Sequence, residues 1–216
     1  MKNRYLALSI LLTLAALAVT TFYYSDLPST VPTHWNAAGE VNGHGPRWMV
    51  WLIGPGMMGA MLLLGLALPW LSPQRFEVSG FESTFYYMIA VLVGLFGYIY
   101  AVALMAMLGE GVSMQRALPG GLFVLLILMG NPMGKVRRNF FLGVRTPWTL
   151  ASERVWYATH RLAAKLMVAS GVAGLLALAA GAAHWLLLTL SVAWAAVPVL
   201  FSLVYYKRLQ REGRLN

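Results

Sequence analysis

The stretch Phe-Tyr-Tyr-Met-Ile-Ala-Val-Leu-Val-Gly-Leu-Phe-Gly-Tyr-Ile-Tyr-Ala-Val-Ala-Leu-Met-Ala-Met-Leu runs from Phe85 to Leu108 without a charged side chain. A helix needs about 20 mostly apolar residues to cross a bilayer, and this run supplies them without interruption. Working outward, two further runs precede it. One is Trp48–Leu71, interrupted by Gly54, Pro55 and Gly56, and the other is Tyr5–Tyr24. Three follow it: Ala117–Met133, which opens with Pro119, Gly120 and Gly121, then Leu162–Gly181 and His184–Tyr206. The expected fold is all-α, a polytopic membrane helical bundle of six transmembrane helices.

Composition agrees. Of the 216 residues, 59% are hydrophobic and 11% are charged, and mean hydropathy is +0.67. A soluble domain carries about 25% charged residues and about 45–50% apolar ones. This chain has too few charges to cover a water-exposed surface, and it is too apolar for disorder. It holds no cysteine, which excludes disulfides, zinc–thiolate and iron–sulfur sites, and thiol catalysis. Lys2, Arg4 and the Ala16-Leu17-Ala18 triplet resemble a signal peptide. The apolar run continues past that triplet to Phe22, Tyr23 and Tyr24, an interfacial aromatic belt, so a retained helix is the preferred reading.

The net charge of +9 comes from 16 Lys and Arg against 7 acids. With the N-terminus inside, 14 of the 16 fall on the inner side, including Arg75, and only Arg47 and Arg116 fall outside. The positive-inside rule then places both termini in the cytoplasm. The charge is a topology signal, and no fold or motif suggests direct nucleic-acid binding. The chain divides into residues 1–116, with spans one to three, and residues 117–216, with spans four to six.

Two loops are long. The outer one, roughly Ser25–Arg47, has Pro28 and Pro32 to enforce extended or turn geometry. Asn42-Gly43 signals a tight turn, so a compact loop with a short hairpin is expected. His34, Asn36, Glu40, Asn42 and His44 lie within eleven residues. Three readings stand for them: a turn organised by a histidine hydrogen bond, a surface for an external ligand formed with Trp35, and a divalent metal site on His34 and His44 with Glu40. The spacing matches no metal signature, and no cofactor is expected. Trp35 and Trp48 read as interfacial anchors before stacking platforms.

The inner loop spans roughly Gly134–Arg161. Gly130, Pro132 and Gly134 are expected to end the fourth helix. Phe140-Phe141-Leu142 is apolar amid charges and should lie on the membrane surface or tuck between helices. Thr149 or Ser152 offers an oxygen to cap the next helix, with Glu153 in its first turn. On that helix Trp156, His160, Ala163 and Met167 share one stripe, and Arg154, Arg161 and Lys165 the opposite one. Contact of the basic stripe with anionic lipid is weighed above docking of an acidic cytosolic partner. His160 reads as a packed residue beside Trp156 before a proton-transfer group. Ala169, Ala173, Ala177 and Gly181 form a small-residue stripe suited to close helix packing.

No Asp, Glu, Lys or Arg sits mid-span, which argues against pumps and ion-coupled transporters. Metalloprotease, nucleophile-elbow and phosphate-loop motifs are absent, so the chain does not read as an enzyme.

The segment Pro32-Thr33-His34-Trp35-Asn36, with Gly39, resembles the domain of unknown function in the N-terminal half of SdpI-type proteins. Gly130-Asn131, Asn139-Phe140-Phe141, Gly143, Arg145-Thr146-Pro147-Trp148-Thr149-Leu150, Trp156 and His160-Arg161 resemble the C-terminal signature of the same family, with Arg154 among them. Pro132 departs from the pattern, which has a bulkier, often aromatic residue there. The resemblance implies a multi-pass immunity protein of the bacterial inner membrane that protects its producer from a secreted peptide toxin. It also implies a receptor role, in which a cytosolic winged-helix repressor is captured at the membrane. The alternatives from the residues themselves are a membrane enzyme or metal-dependent protein using the outer histidines, and a small-solute exporter.

Overall fold

The computed structural model describes residues 2–72 and 78–215; Arg75 lies outside the described residues. Six helices are long and apolar enough to cross a membrane. They are α1 (Lys2–Tyr23), α2 (Met49–Leu71), α3 (Glu82–Met107), α4 (Met114–Met133), α6 (Glu153–Ala179) and α7 (His184–Arg211). A short α5 (Pro147–Ala151) precedes α6. Large apolar side chains point outward along them: Leu11 is 64% exposed, Leu176 68% and Val192 66%. Such surfaces are stable in hydrocarbon and not in water, so the chain is a polytopic membrane helical protein.

The interruption at Gly54, Pro55 and Gly56 does not end α2. It becomes one widened turn, Leu52–Gly56, which absorbs the missing proline N–H. A Cβ at Gly54 would stand 2.5 Å from the Tyr100 ring, so the glycine lets α2 approach α3 there. Likewise α4 begins at Met114 and runs through Pro119, and it ends at Met133, past Gly130 and Pro132. Those two residues were expected to stop it. Pro132 leaves only the last turn to perturb, and Gly134 follows the end.

The chain forms two compact units. One comprises Met1–Leu66 with Tyr86–Leu122, and the other Ala67–Phe85 with Phe123–Asn216. In the first, Thr20 Oγ1 hydrogen-bonds to Tyr100 Oη at 2.5 Å and ties α1 to α3. A two-stranded antiparallel sheet, β1 (Thr30–Trp35) and β2 (Val41–Pro46), fills the α1–α2 connection. In the second unit α6 packs on α7, and α5 on both. Glycines set the approach of α6 to α4: a Cβ at Gly171 would lie 2.7 Å from Ile127 Cγ1 and Phe123 O, and one at Gly174 would fall on the Phe123 ring. Those glycines are buried, whereas Ala169 and Ala173 are exposed. The every-fourth-residue stripe is therefore not the one used within the chain.

Candidate functional site

Two ordered loops carry the residues singled out by sequence. The first is the hairpin. Its register pairs Thr30 with Pro46, Val31 with Gly45, Pro32 with His44, His34 with Gly43 and Trp35 with Val41, with irregularities on either side of His34. Asn36 builds the turn. Its Oδ1 accepts from Ala38 N (2.9 Å) and Glu40 N (3.0 Å), and its Nδ2 donates to Glu40 Oε2 at 2.8 Å. Gly39 then takes φ +80°, a region closed to most side chains. The reversal lies at Asn36–Glu40, and Asn42-Gly43 sits inside β2, which corrects the expected turn position. Gly43 matters for another reason: a Cβ there would come 2.9 Å from His34 Cβ.

His34 Nδ1 lies 2.5 Å from Asn42 Oδ1, so the ring donates to the amide oxygen and bridges the two strands. His34, Glu40 and His44 are exposed, while Trp35 and Asn36 are half-buried. Among the described residues no three His, Asp and Glu side chains come together. His34 thus pairs with Asn42, and Glu40 with Asn36. The hairpin base is anchored by Arg47, whose guanidinium donates to Pro28 O (3.3 Å) and lies 5.6 Å from the Tyr24 ring centroid. Trp48 is 57% exposed at the head of α2, as an interfacial anchor should be.

The second loop joins α4 to α6 and is held by three buried polar side chains. Asn139 is fully buried. Its Nδ2 donates to Arg137 O (2.8 Å) and Leu142 O (3.1 Å), and its Oδ1 accepts from Phe141 N and Leu142 N, both at 2.7 Å. One amide therefore uses its whole capacity on the loop backbone. His160 is also fully buried. It stacks on Trp156 with ring centroids 4.0 Å apart. Its Nδ1 donates to Trp156 O (2.7 Å), and its Nε2 accepts from Val144 N (3.0 Å). Those two contacts specify the Nδ1–H tautomer. Both nitrogens are occupied, and the ring is a structural bracket between α6 and the loop. Trp156 Nε1 adds a bond to Val136 O at 2.7 Å.

Thr146 and Thr149 complete this frame. Each backbone N–H donates to the other's hydroxyl, at 3.0 and 3.2 Å, closing a capping box over α5 with Pro147 in its first turn. Thr146 Oγ1 also hydrogen-bonds to Ser202 Oγ on α7 at 3.0 Å. Ser152 precedes α6, yet its hydroxyl donates to Leu215 O at 2.8 Å, not to the helix. The cap expected at Thr149 or Ser152 is thus supplied by Thr146, one short helix earlier. Arg154 donates to Arg214 O at 3.0 Å, so the C-terminal tail returns to the start of α6. In that tail the hydrogen bond from Arg208 holds the Glu212 carboxyl below its usual pKa.

The remaining motif residues are peripheral. Arg145 donates to Phe140 O, and Trp148 is half-buried. Asn131, Phe140 and Pro147 are exposed. Arg138, which the sequence reading counted only as charge, donates to Leu150 O at 3.0 Å and lies 3.7 Å from Glu153. Its position one residue before Asn139 was the only signal for that role. On α6 the stripes separate as expected: Trp156, His160, Ala163 and Met167 are buried, and Arg154, Arg161 and Lys165 are exposed.

The fold and its two braced loops define a multi-pass membrane protein in which Asn36, Asn139, Thr146, Thr149 and His160 organise loop backbone. Residues 135–202, which span the second loop and α5, α6 and most of α7, match the SdpI/YfhL protein family. Residues 11–59, which enclose the hairpin, match a domain of unknown function, DUF1648. The chain is 26% identical over 204 residues to "Immunity protein SdpI" of Bacillus subtilis (strain 168), covering 94% of this chain and 96% of that protein. No solved structure matches it. The chain is thus similar to SdpI-type proteins along most of its length.

Proposed function

We propose that this chain is an immunity protein of a bacterial cytoplasmic membrane, protecting its host against a secreted antimicrobial peptide. The observation that carries the reading is the likeness to Immunity protein SdpI, which extends over 94% of the chain and includes both loops. In this reading both termini are cytoplasmic, as the distribution of 14 of 16 Lys and Arg supports. The hairpin then faces outward and presents His34, Trp35, Glu40 and His44 to the peptide. The α4–α6 loop faces the cytosol beside Arg154, Arg161 and Lys165. That basic face suits anionic headgroups and, in the receptor role, an acidic surface on a cytosolic winged-helix repressor.

Two measurements test this. Expression of the full chain in a sensitive bacterium, challenged with the secreted peptide encoded nearest the gene, is expected to raise survival; unchanged survival would sink the immunity reading. Alkaline phosphatase inserted after Ala38 should be active, and the same enzyme fused at the C-terminus should be inactive. The reverse pattern would overturn the orientation.

A further inference from the structure

A lateral groove of about 690 Å³ opens between α1 and α3. It extends from Leu12 to Tyr23 on one wall and from Gly94 to Glu110 on the other, toward the end of the bundle that bears the hairpin. The α1 wall is a helical stripe of Ala15, Ala16 and Val19, and the α3 wall one of Gly94, Gly97 and Ala101. Met58 of α2 lines it as well, 3.1 Å from where a Cβ on Gly97 would stand. A Cβ at Gly94 would meet nothing within 4 Å, so the side of that glycine where a side chain would stand looks onto open space. The walls are fixed. Thr20 bonds Tyr100 across the helices, and Tyr98 Oη, on the rim, donates to Ala117 O at 3.0 Å.

The size discriminates between occupants. From Leu12 to Tyr23 α1 takes about eleven steps of 1.5 Å and rises roughly 17 Å, which gives the groove a mean cross-section of roughly 40 Å². A helix with small side chains, roughly 10 Å across, has about twice that section, so the groove would seat half the girth of one helix. Small residues at helical spacing on both walls are what close approach of a third helix requires.

The mouth selects charge. At the end of α3, Gly109 turns the chain with φ +81° and Glu110 N bonds back to Met105 O at 3.0 Å. This turn fixes the exposed Glu110 at the rim of the groove. Segments at this end carry Asp26, Glu40 and Glu110 against Arg47 and Arg116, and Arg47 is folded onto Tyr24 and Pro28. Of these, Glu110 is the one that lines the groove, so a basic side chain would be favoured at this rim over an anionic headgroup.

We propose that the α1–α3 groove is a docking site for an apolar helical peptide segment that carries a basic group at the end beside Glu110. Under the immunity reading on which the proposal builds, it is where the secreted peptide is seated.

The test uses the full chain in lipid nanodiscs. The probe is a synthetic Leu/Ala helix with one terminal lysine and a photoactivatable diazirine-leucine. Crosslinks are expected on Ala15, Val19 and Ala101. Gly94→Phe, which fills the groove from a position with free space, should reduce them to background while leaving the detergent-solubilised unfolding midpoint unchanged. Glu110→Gln should weaken the lysine probe by about threefold, as loss of one exposed charge pair does, and leave an uncharged version of the probe unaffected. Equal crosslinking in wild type and Gly94→Phe would overturn the proposal. So would groove labelling by a photoactivatable phospholipid with none by the peptide, which would make this a lipid site. Survival separates the two readings. If the wild-type chain protects cells and Gly94→Phe protects equally, the groove proposal fails and immunity stands. If the probe docks in a Gly94-dependent way but the wild type protects nothing, immunity fails and the groove stands.

Discussion

Asn139→Ala is expected to destabilise the unit that holds the α4–α6 loop by about 3–4 kcal/mol, the largest effect of any single hydrogen-bonding side chain in that loop. The side chain makes four bonds to loop backbone, between 2.7 and 3.1 Å, from a fully buried position. A net contribution of about 1 kcal/mol per bond sets the scale. The loop offers its backbone no ladder to fall back on, because Arg137 to Leu142 form neither helix nor strand. Truncation therefore leaves Arg137 O, Leu142 O and the amides of Phe141 and Leu142 to find water or open the loop. The expected result is a lower denaturant midpoint in detergent and faster hydrogen exchange at the Phe141 and Leu142 amides. Asn139→Asp keeps the acceptor oxygen and should hold those two amides slower than the alanine variant does. If the alanine variant unfolds at the wild-type midpoint with unchanged amide exchange, Asn139 is not the keystone described.

How much of this was readable in advance differs by element. The spans were, because a bilayer imposes a length and a composition that a window of residues reveals; α2 and α7 begin within a residue of the expected positions, and α7 continues to Arg211. The two faces of α6 were also legible, since a 3.6-residue period maps directly onto burial for Trp156, His160, Ala163 and Met167. The hairpin turn was not. Asn42-Gly43 has the local preference for a reversal, but Asn36 can bond two amides and Glu40 at once, and a turn so satisfied outcompetes a dipeptide propensity. Within the chain, the close contacts of α6 fall on residues other than its alanine stripe. Alanines at every fourth position look suitable, yet only Gly171 and Gly174 lack the Cβ that Ile127 and Phe123 would meet. The hydroxyl of Ser152 was claimed by Leu215, a residue 63 positions away, which no local rule could foresee. What the sequence withheld was the set of nonlocal contacts that decide among locally equivalent donors.

Gly143→Ala should be nearly as damaging, by about 3 kcal/mol, and its origin can be isolated. Gly143 has φ +106°, a region L residues enter at a cost of order 1–3 kcal/mol. The added methyl would also fall on His160 Nε2. The imidazole has nowhere to retreat: it is stacked on Trp156, bonded through Nδ1 to Trp156 O and fully buried. The loop must move instead, and the bond from Val144 N to Nε2 goes with it. His160→Ala alone would also destabilise, since it leaves the Val144 N–H without an acceptor and opens a void beside Trp156. The two changes are predicted to be non-additive. Once the ring is gone, the alanine methyl at 143 occupies vacated space and breaks no bond that still exists. Only the backbone strain remains, so the double variant should be at least about 1 kcal/mol more stable than the sum of the singles. Unfolding midpoints of the wild type, the two singles and the double give that coupling directly. Additive losses would mean that Gly143 is needed for its backbone alone and that His160 does not brace the loop, whereas strong coupling makes the glycine and the histidine one device, holding the α4–α6 loop against α6.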